Sequence, residues 1–94
     1  MKLADFQETL KNKQLPDNIS VYLKALWYDA ADKWDSAHNL IDHLDDAKAC
    51  WVHAYLHRKE GDNSNARYWY NRAGKNIPSI SLEEEWRQIV KMLL

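Results

Sequence analysis

One pattern of small and large residues recurs along this chain. Ala25 to Leu44 aligns without gaps on Ala54 to Ala73, at an offset of 29 residues. Ala25 falls on Ala54, Asp32 on Gly61, Ala37 on Ala66 and Ile41 on Tyr70. Each copy reads as a helix, a tight polar turn and a second helix. Small alanines let the two helices of a hairpin approach closely, and a large residue one turn later fills the space beyond. Such a chain is expected to stack antiparallel helical hairpins. Only two Gly and two Pro occur in 94 residues, too few breakers for a sandwich of many short strands. The length fits one domain, residues 1–94.

Apolar spacing places six helices. The first runs from about Leu3 to Lys13, with Leu3, Phe6 and Leu10 on one stripe. Leu15-Pro16-Asp17-Asn18 breaks it, and Asp17 or Asn18 is expected to cap a second helix, about Ile19 to Ala31. Asp32 is expected to cap the third, about Lys33 to Leu44. The fourth follows Asp45-Asp46, runs from Ala47 to about Glu60, and stops at Gly61. The fifth starts at Asp62 or Asn63 and ends at Gly74. After a loop containing Pro78, Ser81-Leu82-Glu83-Glu84 reads as a capping box that opens the last helix. The hairpin repeats therefore cover about 19–44 and 47–74, with flanking helices at about 3–13 and 81–94.

Ala54, Gly61, Ala66, Tyr70, Ala73 and Pro78 match the spacing of a tetratricopeptide repeat (TPR), whose signature closes on A-x3-F and then P. The run Ala66-Arg67-Tyr68-Trp69-Tyr70-Asn71-Arg72-Ala73 also resembles the second helix of Sel1-like repeats, with their Ala-x-x-Trp-Tyr-x-x-Ala pattern. The resemblance covers about residues 20–78. It implies an all-α fold, a TPR-like superhelix fragment with flanking capping helices. It also implies a non-catalytic module that binds a protein or peptide. In such repeats the first helix of each hairpin lines the concave face. Carried onto this chain, that face presents Tyr22, Trp51, Tyr55, Arg58 and Lys59 as binding residues. An acidic or carboxylate-ended segment would lie against Trp51 and Tyr55 while Arg58 and Lys59 hold its charge. Two repeats make a shallow groove, so the outer helices must cap it or the chain must pair as a homodimer.

The charges divide unevenly. Residues 1–47 carry a net of −4 and residues 48–94 a net of +3. That asymmetry steers partners, but it is far weaker than the footprint of a nucleic-acid binder. A single cysteine, Cys50, excludes an intrachain disulfide and suits a reducing compartment. The first residues turn polar at once, and no apolar run is long enough to span a bilayer. A cytoplasmic protein is expected.

A second class of function rests on His53-x3-His57, two imidazoles on one helical face and able to clasp a metal. Cys50 lies one turn earlier, and His38 and Asp42 make a similar pair on the third helix. A small metal- or ligand-binding protein or enzyme is the alternative to the interaction module. The expected role of the two histidines is nevertheless structural, with hydrogen bonds to a neighbouring helix, and no cofactor is expected. Cys50 reads as a small core residue rather than a nucleophile. Arg67 and Arg72 beside Tyr68 read as ordinary surface, and Glu83-Glu84-Glu85 as a complement to a helix dipole. Self-association through an exposed face of the last helix is a third reading.

Overall fold

The computed structural model describes residues 1–94 and contains helices alone: α1 (Leu3–Lys11), α2 (Val21–Ala30), α3 (Trp34–Ile41), α4 (Ala47–Lys59), α5 (Asn63–Ala73) and α6 (Leu82–Leu93). The fold is all-α. Four helices begin at a side-chain cap, where an oxygen accepts an otherwise unpaired backbone N–H. Ser20 accepts from Leu23, Asp46 from Ala49, Asp62 from Asn65 and Ser81 from Glu84.

Two helix starts differ from expectation. Asp17 and Asn18 do not cap α2; Asn18 turns the chain at φ +58° and Ser20 takes the cap. Asp32 does not cap α3 either. It sits at φ +63° in the turn, and α3 begins after Lys33 with no side-chain cap. Gly61 occupies the corresponding place 29 residues later at φ +85°. Each hairpin therefore reverses through a left-handed residue. Asp tolerates that conformation better than most side chains, and Gly adopts it freely.

Helices α2 and α3 form one hairpin, α4 and α5 the other, and α3 packs on α4. The last helix folds back across α2 and α4, and α1 packs against α6. Helix α4 is thus enclosed on several sides, with Cys50, Val52, Ala54 and Leu56 fully buried. The main core joins Phe6, Leu26, Ile41, Val52, Leu56 and Ile89 from five helices. Indole groups bridge the elements: Trp34 Nε1 donates to the Leu56 carbonyl at 2.8 Å, and Trp86 Nε1 to the Leu26 carbonyl at 3.0 Å. A Trp buried this way brings a large apolar area and satisfies its N–H. No helix is long and apolar enough to cross a membrane.

Candidate functional site

The position of α6 decides which expected binding residues face solvent. It covers the face of α2 and α4 that the repeat resemblance assigns to a ligand. Tyr55 is consequently only 3% exposed. Burial, with Asp29 and Glu85 close by, pushes its phenol well above the usual range. Arg58 donates to Glu85 Oε1 at 2.9 Å and to the Ile80 carbonyl. Lys59 pairs with the buried Asp29 carboxylate at 3.0 Å. Tyr22 donates its hydroxyl to Asp46 Oδ2 at 2.8 Å. The cations expected to hold a partner's carboxylate are instead engaged by this chain's own acids. For Arg58 the physical reason is that α6 brings Glu85 to it, whereas Lys59 is held by Asp29 of α2.

That carboxylate is Glu85, only 1% exposed. It accepts from Arg58, from the Tyr70 hydroxyl at 2.7 and 2.8 Å, and from Trp51 Nε1 at 3.3 Å. The Glu83-Glu84-Glu85 run puts Glu85 in an acidic first turn. The structure turns it inward, where it joins α4, α5 and α6. Glu84 remains outside and pairs with Arg87 at 2.8 Å.

Trp51 is half-buried at the edge of this network and stays accessible. Beside it opens a cavity of about 450 Å³, walled by Trp51, Lys75, Asn76, Gln88, Lys91 and Met92 among others. A second hollow of about 210 Å³ shares Trp51, Lys75 and Met92 and adds Lys48. The Lys75 ammonium lies over the Trp51 ring, 4.0 Å from its centroid, a cation–π placement. Lys48, Lys75 and Lys91 take part in no salt bridge, whereas Arg58, Lys59 and Arg87 do. Lys75 lies in the loop after the second hairpin and Lys91 on α6. Lys75 reaches Trp51 from just past the end of α5 and Lys91 from α6, contacts between elements that repeat phase alone does not give.

A second constellation lies between the hairpins. His38 from α3 meets His53 and His57 from α4, one ring nitrogen of each lying within 4.8 Å of the others. His38 Nε2 and His53 Nε2 are 3.0 Å apart. Two indoles wall the cluster: Trp34 stacks on His38 at 4.9 Å and Trp69 on His53 at 4.0 Å between centroids. Glu60 Oε1 lies 2.6 Å from His57 Nδ1, and Asp42 Oδ2 3.9 Å from His38 Nδ1. His53 Nδ1 is buried with no hydrogen-bond partner. Burial, with His38 and His57 adjacent, pushes the His53 pKa down to about 4.

Cys50 stands outside this cluster. Its thiol donates to the Asp45 carbonyl at 3.5 Å, and burial pushes its pKa up, away from thiolate chemistry. His53 and His57 do come together as their spacing indicated, with His38 rather than Cys50 as the third member. No family model matches the chain, and neither a curated protein nor a solved structure matches it.

Proposed function

We propose that this protein is a non-catalytic interaction module, of the TPR-like kind its repeat resembles, that binds an acidic peptide segment in the groove over Trp51. The carrying observation is the set of three lysines, Lys48, Lys75 and Lys91, free of salt bridges around a half-exposed indole. An apolar side chain of the segment rests against Trp51 and Met92. Its carboxylates, or a free chain end, take the lysines. The Asn76 and Gln88 amides offer hydrogen bonds to its backbone. Aromatic anchors ringed by charge concentrate binding energy in many interfaces, and the lysines steer an acidic partner toward the groove.

The test is selection from a randomised library of eight-residue peptides with free C-termini, followed by fluorescence anisotropy on the selected sequences. Acidic sequences are expected to be enriched, with Kd values of about 1–100 μM that weaken as salt rises. Lys75→Glu/Lys91→Glu is expected to weaken binding by at least about tenfold, equal to roughly 1.4 kcal/mol. Trp51→Phe tests the indole while keeping an aromatic ring. Selection of the same peptides by the charge-reversed double variant would refute the groove.

A further inference from the structure

The histidine cluster is separate from the groove and does not depend on it. Three imidazoles from two helices converge in a space walled by indoles, and two have a carboxylate on the Nδ1 side. Glu60 takes the Nδ1–H of His57, which fixes the tautomer and leaves Nε2 as a lone pair. The Asn65 amide nitrogen, 3.4 Å from that Nε2, is a donor that agrees with this assignment, and a bound ion would take its place on the lone pair. Asp42 also lies on the Nδ1 side of His38, at 3.9 Å, beyond hydrogen-bond reach. A carboxylate behind an imidazole is the usual arrangement that orients a metal-bound histidine and raises its basicity.

His53 supplies the second observation. Its Nε2 faces His38 Nε2 at 3.0 Å while its Nδ1 is buried without a partner. A neutral imidazole has a single N–H for these two positions. If Nε2 carries it, the Nδ1 lone pair is buried with no donor. If Nδ1 carries it, an N–H is orphaned and two Nε2 lone pairs face each other. Either way the Nδ1 position of His53 stays without a protein partner, and in the second case the facing Nε2 lone pairs have no electrophile between them. Ligand nitrogens around a tetrahedral Zn²⁺ stand about 3.4 Å apart, given metal–nitrogen bonds of about 2.0–2.1 Å. The observed 3.0 Å edge is close to that separation, and one nitrogen of His57 lies within 4.8 Å of the other two.

We infer that His38, His53 and His57 form a binding site for one divalent transition-metal ion of the Zn²⁺ class, held by three neutral imidazoles. His38, whose side chain is 23% exposed, provides the way in from solvent, and a fourth position stays open to water or another ligand. Glu60 acts as a positioning residue through His57. The site pins α3 to α4, the junction between the two hairpins.

The experiment uses the full chain, stripped with a chelator, and titrates it with Zn²⁺ by calorimetry and with Co²⁺ by visible absorption. One equivalent is expected to bind with a Kd of about 10 μM or tighter at neutral pH. The Co²⁺ spectrum is expected to carry the intense bands of a tetrahedral site. In the unaltered protein, Zn²⁺ shifts the ring-nitrogen NMR signals of His38, His53 and His57 but not those of His43, which is 70% exposed and outside the cluster. His38→Leu, its fold checked by circular dichroism, is expected to weaken Zn²⁺ binding at least about 100-fold, and Glu60→Gln about 10–100-fold. His43→Leu leaves it unchanged. Absence of saturable one-to-one binding, or a shift confined to the His43 signals, overturns the proposal, as does unaltered affinity in folded His38→Leu.

Discussion

Asp29 illustrates how a single residue carries a fold-wide constraint. Its carboxylate is 1% exposed, with Oδ1 on Lys59 and Oδ2 unpaired. Burial raises its pKa above the ordinary 3.8, against the opposing pull of Lys59. The folded chain therefore holds a proton at Asp29 at pH values where the unfolded chain has released it. Stability linked to this group falls as pH rises from about 3.8 through the raised folded value. Asp29→Asn removes that dependence. Urea unfolding between about pH 3 and 7 is expected to show the unaltered chain losing stability relative to Asp29→Asn as pH increases. A constant difference across that range contradicts the assignment.

Among the elements, the two hairpin turns offer a matched comparison. Asp32 and Gly61 both hold positive φ, 63° and 85°, at equivalent repeat positions. A Cβ at Gly61 would meet no atom within 4 Å, so the backbone conformation alone disfavours a side chain there. Gly61→Ala is expected to destabilise by about 1 kcal/mol. Asp32→Gly relieves the same strain and is expected to stabilise by a few tenths to about 1 kcal/mol, offset in part by greater freedom of the unfolded chain. Thermal unfolding of the two variants checks the opposite signs. The element endings follow the same local rules: Gly74 closes α5 at φ +71°, and Asp62 opens it by accepting from Asn65.

For the whole molecule, the decisive event is the return of α6 onto α2 and α4. Glu85 then becomes a buried junction of three helices, through Arg58 and Trp51 on α4 and Tyr70 on α5. A buried charge that loses its partner is far more damaging than a lost neutral hydrogen bond. Arg58→Met is therefore expected to destabilise by about 3–5 kcal/mol. Tyr70→Phe, which leaves Arg58 on the carboxylate, is expected to cost about 1–2 kcal/mol. Denaturant midpoints give the order, and a larger loss in Tyr70→Phe would show that the ion pair is not the anchor. The same docking of α6 closes the face over Tyr55 and leaves the lysine-rimmed opening at Trp51.

By itself the sequence determined six helices and the stop at Gly61, but it read Asp32 as a cap where the structure places it in the turn at φ +63°. Those features arise from interactions within a few residues: apolar periodicity, small-residue spacing and the conformational freedom of Gly. It also placed His53 and His57 on one face, because i,i+4 neighbours share a helix surface. The tertiary structure alone decided that His38 completes their cluster and that Cys50 stays outside. It alone turned Glu85 from a helix-start acid into a buried partner of Arg58, and brought Lys75 and Lys91 to Trp51. Each of these pairings joins different elements of the chain. Their contact is set by the docking of helices, above all α6, and no local spacing encodes that docking.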